Sequence, residues 1–365
     1  MNYYKLSFCT VCMNRTEHLK QTLIRNIRDN IDYPQLEFVL LNYGSKDDLH
    51  EWVMNELAEY LATGTLQYYK ADFPELFKMS HSKNMAFRLA TGDVLISVDA
   101  DNYTGAGFAQ YVNRWFHRSE QLFLAPPWTD VGRKWWDVQG RLCLRTSHFA
   151  QFHGYDETII DYGFEDQDLK HRMIQSGIRK TVIRNVQYLS AIQHTNALRV
   201  QSGITRKLMA TMLLRAGERT GWELWYLRTD NRFERFKVIA PTISIQTPPL
   251  MDSLPGAHPC TVRLTDLKTG AYQASHRGIT FLSHQGKVID ELTHESATEL
   301  TAATGTAFYR LQPGELMDQL LLGRSCFLGR QRLLHNRKHQ NKVNPLGYGK
   351  GLLTHWPEGR VVQLD

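Results

Sequence analysis

The segment Val94-Leu-Ile-Ser-Val-Asp-Ala-Asp-Asn102 carries an apolar run straight into two carboxylates two positions apart, Asp99 and Asp101. Strict alternation of side-chain faces lapses where a strand ends, so both acids can reach one crevice. Hard oxygen ligands in that arrangement suit Mg²⁺ or Mn²⁺, which bridges and neutralises a diphosphate. A plain Asp-rich turn is the competing reading. A second acidic block, Gly154-Tyr-Asp-Glu-Thr-Ile-Ile-Asp-Tyr-Gly-Phe-Glu-Asp-Gln-Asp-Leu169, opens a helix whose first turn holds Glu165, Asp166 and Asp168. Acids at a helix start are favoured by the helix dipole, but three exceed what capping needs. Leu169 and Met173, four residues apart, would anchor that helix to the core.

These residues need a frame that brings strand ends and helix starts together. Leu6–Met13 is apolar and β-prone, and His18–Asn30 is amphipathic with Leu19, Leu23, Ile24 and Ile27 on one face. Leu36–Leu41 reads as a second strand, Asp47–Leu61 as a helix and Leu66–Tyr69 as a third strand. Ser80–Leu89 reads as a helix and Val94–Val98 as a fourth strand. Such alternation predicts an α/β fold with a mostly parallel sheet flanked by helices, in which ligands bind beyond the carboxyl ends of the strands. After about residue 200 the pattern changes. Leu208–Leu214 reads as helical, Ala240-Pro241 and the stretch Thr247–Pro259 as proline-rich and linker-like, and Cys260–Leu264, Gly278–Leu282 and Ala307–Leu311 as short strands. The expected organisation is a first, ligand-binding domain over residues 1–235 and an accessory α+β region over 236–365.

At 365 residues, 42% hydrophobic and 22% charged, the chain has the composition of a globular protein. A net charge of +6 suits anionic partners without selecting one. The basic run Arg330–Lys342 reads as a solvated helix face. The five cysteines are scattered. Cys9 and Cys12 share the C-x-x-C spacing without a second pair or clustered histidine, which predicts reduced, structural thiols. The N-terminus lacks the basic and apolar regions of a signal peptide, and no run is long enough to span a membrane. The expected location is cytoplasmic, with at most peripheral attachment to the inner face of the membrane.

Together the segments resemble glycosyltransferase family 2, with the GT-A (Rossmann-like) fold, and within it the galactosyltransferase-like group. The likeness rests on Cys12-Met-Asn-Arg15, Ser82-Lys-Asn-Met-Ala86 leading to Ala90-Thr-Gly-Asp93, and Asp99-Ala-Asp101. It continues through Gly140-Arg141 and Gly154-Tyr-Asp-Glu157 to Gly163-Phe-Glu-Asp166, covering roughly the first 200 residues. The resemblance implies an inverting, metal-dependent transfer of a hexose or N-acetylhexosamine from a nucleotide sugar, expected to be a UDP-sugar, to a hydroxyl of a glycan or glycolipid. Asp166 would be the general base, with Glu165 holding the acceptor or the loop. Residues 1–235 would form the catalytic domain, and residues 236–365 would pack on its acceptor side. Asp99 would contact the donor's ribose or uracil, and Asp101 and His194 would hold Mn²⁺ or Mg²⁺. Thr10, Asn14, Arg15, Lys83 and Asn84 would line the donor site. Asn42 stands where the family commonly has an acid that pairs with uracil, and its carbonyl could still accept the uracil N–H.

Trp128, Trp135 and Trp136 lie between the two acidic blocks, and Trp135 or Trp136 is expected to stack on a sugar ring. Val343–Gly351 resembles a tail that similar enzymes fold back towards the donor site. A sugar-nucleotide pyrophosphorylase would want a glycine-rich loop after the first strand, and Thr10–Thr16 contains no glycine. A non-catalytic carbohydrate or nucleic-acid binder would leave the two acidic motifs unexplained. No nucleic-acid partner is expected.

Overall fold

The computed structural model describes residues 2–127, 136–216, 221–239, 262–339 and 342–365. These form two compact units: residues 1–194 with 331–365, and residues 195–330.

Unit 1 runs β1 (Leu6–Cys12), α1 (Thr16–Arg28), β2 (Leu36–Tyr43), α2 (Leu49–Glu56), α3 (Ala58–Ala62), β3 (Leu66–Ala71), α4 (Met79–Leu89) and β4 (Val94–Ser97). It continues with β5 (Asn102–Tyr103), α5 (Phe108–Phe116), β6 (Leu122–Ala125), β7 (Cys143–Arg145), α6 (Thr146–Gln151), α7 (Glu165–Gln175), β8 (Arg179–Val182) and β9 (Ser190–Ala191). Unit 2 holds α8 (Asn196–Val200), α9 (Ile204–Lys207), β10 (Met209–Ala216), β11 (Trp222–Arg228), β12 (Arg232–Ile239) and β13 (Arg263–Ala274). After these come β14 (Gly278–Leu282), β15 (Val288–His294), β16 (Glu299–Ala302) and β17 (Ala307–Arg310). Helix α10 (Glu315–His339) follows, and β18 (Gly351–Trp356) and β19 (Arg360–Leu364) close the chain.

The α/β class expected from the alternation is what unit 1 has. Among the described residues its large sheet has the order β19-β18-β3-β2-β1-β4-β7-β6-β8, with the central run β3-β2-β1-β4 parallel. Central strands covered on both faces read as nearly continuous apolar runs, and β1 and β2 do so. Alternation still divides their side chains between two layers. Leu6, Phe8 and Cys12 join Leu19, Leu23 and Ile27 of α1 on one face, while Cys9 joins Met85 and Phe87 of α4 and Leu169 and Met173 of α7 on the other. Cys12 pairs with Asn42, and Val98 N donates to Cys9 O at 3.0 Å. That register sets the Asp99–Asp101 turn beside the carboxyl end of β1.

Unit 2 is a closed antiparallel barrel, β10 through β17 in sequence order, with Leu213 facing Arg310 where the last strand returns to the first. Trp225, Phe233, Phe281 and Phe308 fill its interior, and the Trp225 and Phe281 rings lie 4.4 Å apart. Outside the barrel core, Arg324 donates two 2.7 Å hydrogen bonds to Glu234 and one of 2.8 Å to Thr205 Oγ1.

Three expectations change. Residues 209–214, read as helix, lie in β10, because pairing with β11 and β17 overrides the helix preference of their Leu and Met. The boundary falls at 194/195 rather than 235, since β10–β12 are barrel strands. The end of the chain is not accessory: β18 pairs antiparallel with β3 and covers an edge that would otherwise stay open. Of the strand read at Cys260–Leu264, only its end falls within β13; residues 260–261 lie outside the described residues.

Candidate active site

Beyond β4 the chain turns so that Asp99 and Asp101 both enter a polar centre. Asp101 Oδ2 lies 2.8 Å from His194 Nε2, and Asp101 Oδ1 accepts a 2.7 Å bond from Asn102 Nδ2. Asn102 is itself fixed by buried Arg141, whose guanidinium donates to Asn102 Oδ1 at 3.1 Å and to the carbonyls of Tyr103 and Tyr188. Burial pushes Arg141 down to about 10, yet it stays a cation in the neutral range. Burial would raise Asp101, but His194 and Asn102 outweigh it and hold the carboxyl below its usual range. The His18 ring meets His194 edge-on at 5.8 Å. Sequence reading missed both His18 and the role of Arg141; the Gly140-Arg141 pair in the matched segment was the available signal.

Asp99 lies between this pair and the second acidic block. A Cβ at Gly140 would approach Asp99 Oδ2 to 2.4 Å, so only glycine allows this close approach. Burial lifts the Asp99 carboxyl to about 6. The Lys83 charge opposes that rise, and the Asp101 and Asp166 charges add to it.

The second block is held by a left-handed turn: Gly163 has φ 100° and Phe164 φ 74°. A bulky residue in that region costs of order 1–3 kcal/mol and persists only where its surroundings impose it. Here it starts α7 so that Glu165 and Asp166 turn inward, 4% and 9% exposed. Lys83 Nζ, from α4, lies 2.9 Å from Glu165 Oε1 and 3.0 and 3.1 Å from the two Asp166 oxygens. Burial drives the Glu165 carboxyl well above its ordinary range, against the pull of Lys83. For Asp166, burial is outweighed by Lys83 and Lys170, and the carboxyl sits below its ordinary range. Burial lowers Lys170 to about 8, and its Nζ donates to Gln139 O at 2.6 Å.

The structure redistributes the expected donor residues. Lys83 is no surface cation awaiting a pyrophosphate; it is buried against the Glu165–Asp166 pair because α4 packs beneath the start of α7. Asn84 is fully buried and bridges Tyr155 N, Tyr155 O and Glu157 Oε1, so its amide fastens the Gly154–Glu157 segment. Asn42 is 1% exposed, gives Nδ2 to Tyr68 Oη and accepts Ser45 N, which commits its carbonyl to the turn after β2. Asn14, with φ 55°, is exposed and accepts Lys46 N, tying the β1 turn to the β2 turn. Thr10 is buried near the end of β1, and Arg15 is half-buried at the start of α1. Asp168 is no cap: Arg172 and Asn336 hold its two oxygens at 2.8 and 2.9 Å. Trp128 and Trp135 lie outside the described residues, and only the backbone of Trp136 is described, in a short turn to Val138. The tail does return to unit 1: Gly349 N donates to Glu157 Oε1 and Asn344 Nδ2 to His153 O.

Among the described residues no group of three or more His, Cys, Asp or Glu is placed to hold a metal. Asp101 and His194 offer an oxygen and an imidazole at one point. Two protein ligands fit a cation that takes its other positions from substrate phosphate and water, as Mg²⁺ sites commonly do. Mn²⁺ tolerates the imidazole better.

The site thus consists of two acidic motifs past the ends of a parallel sheet, one paired with a histidine and one with a buried lysine. Residues 134–195, which carry Gly140-Arg141, Gly154–Glu157, Glu165–Asp166 and His194, match the family described as the N-terminal domain of galactosyltransferase. That match agrees with the galactosyltransferase-like part of the resemblance read from the sequence; the Asp99-Ala-Asp101 motif lies outside it. Curated proteins give no match. Among solved structures, the chain is similar to a mannosyltransferase from Pyrobaculum calidifontis in complex with GDP-Man and Mn²⁺. Identity is 18% and the TM-score 0.45, over 55% of this chain and 61% of that one. It is also similar to S. aureus TarS 1-349 at 16% identity and TM-score 0.40, over 50% of this chain and 58% of that one. A third is the catalytic domain of Drosophila beta1,4galactosyltransferase 7 in complex with xylobiose: 16% identity, TM-score 0.38, 55% of this chain and 75% of that one. The chain therefore spans about three fifths of the first two.

Proposed function

We propose that unit 1 is a glycosyltransferase domain that moves a hexose or N-acetylhexosamine from a nucleotide sugar, a UDP-sugar by preference, to an acceptor hydroxyl with inversion. The observation that carries this reading is a pair of acidic centres in one unit, Asp101 2.8 Å from His194 and Glu165 with Asp166 held by buried Lys83 at 2.9 to 3.1 Å. Single displacement at a sugar carbon needs a base for the incoming hydroxyl and charge neutralisation for the departing diphosphate, and the two motifs divide along those lines.

In this reading Asp166, held ionised, receives the acceptor proton. Glu165, driven towards its neutral form, donates a hydrogen bond to the acceptor. Asp101 and His194 would hold a divalent cation, whose bound form neutralises the leaving diphosphate. Arg141 keeps Asn102, and through it Asp101, in place. Thr10 and Arg15 remain the donor-side residues, Asp99 the contact to ribose or uracil, and Trp135 or Trp136 the stacking residue for the acceptor sugar. The acceptor class is a glycan or glycolipid, and the place of action the cytoplasm, with at most peripheral membrane attachment; no described helix is long and apolar enough to cross a membrane.

The test is release of nucleoside diphosphate from a panel of nucleotide sugars, with Mn²⁺ and with chelator. Metal-dependent release of UDP that disappears in Asp101→Asn and Asp166→Asn supports the reading. A folded protein that hydrolyses none of the panel, or works at full rate in excess chelator, overturns it.

A further inference from the structure

We infer that Lys83 is the positioning residue of the transfer step: its buried ammonium fixes the Glu165 and Asp166 carboxylates and assigns them different protonation states. This rests on the reading that Asp166 takes the acceptor proton. An ammonium has three donors and no acceptor. Lys83 directs its contacts at Glu165 Oε1, Asp166 Oδ1 and Asp166 Oδ2, all within 3.1 Å, and its side chain is 3% exposed. Nothing of it is left to reach a phosphate in solution.

The charge count then decides the chemistry. One ammonium facing two buried carboxylates leaves a negative charge that the interior tolerates poorly. The other groups facing the cluster are Asp99 and the Tyr155 ring, 5.4 Å from Lys83 Nζ, with Lys170 on the Asp166 side. Tyr155 is fully buried and its hydroxyl has no partner among the described atoms. The excess is relieved unequally. Asp166 takes two contacts from Lys83 and the field of Lys170, whereas Glu165 takes one contact, and burial moves it towards its neutral form. Two carboxyl groups whose surroundings drive them apart are a base and a hydrogen-bond donor in waiting. Removing the cation makes the two acids compete for a proton in the same range.

The experiment compares wild type with Lys83→Met, Lys83→Arg and Asp166→Asn. The readouts are UDP binding by calorimetry with Mn²⁺ present, and UDP-sugar hydrolysis from about pH 3 to about pH 9, which brackets the ordinary carboxylate range on both sides. Lys83→Met should bind UDP within about twofold of wild type, since the Lys83 ammonium is directed at Glu165 and Asp166. Its hydrolysis should reach half-maximum at least about one pH unit higher, which is about tenfold in rate on the acidic limb. Lys83→Arg, which keeps the charge, should restore most of that shift. A folded Lys83→Met with an unchanged pH profile overturns the inference. So does UDP binding weakened about tenfold or more, which would make Lys83 a donor ligand after all. If Lys83→Met does not fold, Glu165→Gln gives the complementary test: a neutral amide in place of a carboxyl already neutral on that limb should leave the half-maximum where it is, and a move of about one pH unit or more overturns the inference. Asp166→Asn separates the two levels. Full activity there sinks the base assignment itself, whereas an inactive Asp166→Asn beside an unshifted Lys83→Met sinks only the role of Lys83.

Discussion

Both units bury an apolar core, the larger one in unit 1, yet they treat charge differently. In the barrel the interior is occupied by Trp225, Phe233, Phe281 and Phe308, and buried Glu234 is held by a bidentate Arg324, with Arg228 a further 3.7 Å contact, so that carboxylate has a cation of its own. In unit 1 the buried charges do not balance pairwise. Lys83 serves two carboxylates, Asp99 lies close to two further acids, and Asp101 leans on a histidine. A fold pays for uncompensated buried charge, so its concentration at one place marks where something other than stability is served.

That contrast predicts different responses to substitution. The largest effect belongs to Asp166→Asn, which keeps shape and removes the base. Turnover should fall by about 10²–10⁴ or more, with thermal stability nearly unchanged. A tolerated change would erase the distinction between the units. Next comes the cation site. Asp101→Asn should lose transfer that added Mn²⁺ does not restore, while His194→Ala should only raise the metal concentration needed for half activity; an unmoved metal titration in His194→Ala removes it from the site.

The barrel should answer in stability, not rate. Arg324→Ala strands Glu234 and should cost about 3–5 kcal/mol of unfolding free energy, the usual penalty for breaking a buried pair. Chemical denaturation measures this, and the rate per folded molecule should be unaltered. Asp168→Asn should also be a stability variant: it weakens the contacts to Arg172 and Asn336, and a drop of about 1–3 kcal/mol is expected by the same measurement. A fully stable Asp168→Asn with depressed turnover would move the catalytic register along α7.

The smallest effect is the pH dependence of stability through Glu165. Its folded-state carboxyl is raised, so its contribution is fully present below the ordinary glutamate range and is lost as pH rises through the raised value. Asp166 behaves oppositely: its contribution is present above the ordinary aspartate range and is lost as pH falls through the depressed value. Glu165→Gln should therefore match wild type in Tm in mildly acid buffer and exceed it slightly in alkaline buffer. Parallel Tm curves across pH would show that Glu165 carries no raised carboxyl.

Much of the frame of unit 1 was legible in sequence because its signals are local. The period of Leu19, Leu23 and Ile27 gave α1 its buried face, and the apolar run into Asp99 gave β4 its end. What stayed hidden depends on pairing across long separations. Residue 83 meets residues 165 and 166, and no local pattern distinguishes a lysine facing solvent from one facing two acids. Asn42 and Asn84 look like ligand residues because amides are common in sites, but they are as common where a turn must be tied. Residues 208–214 misled because Leu, Met and Ala favour helices until neighbouring strands claim them. The family likeness supplied His194, which composition and spacing could not.

The parallel sheet of unit 1 is completed by residues that follow the barrel in the chain: His355 pairs with Tyr69, and Thr354 with Lys70. During synthesis β3 must therefore wait with one side unpaired until the whole of unit 2 has been made. A strand left open for that long is a template for mispairing with another chain. Prompt closure of the barrel, whose strands pair in sequence order, shortens the effective search for β18. Variants that slow barrel folding should then appear first as aggregation of unit 1, even though they touch none of its residues.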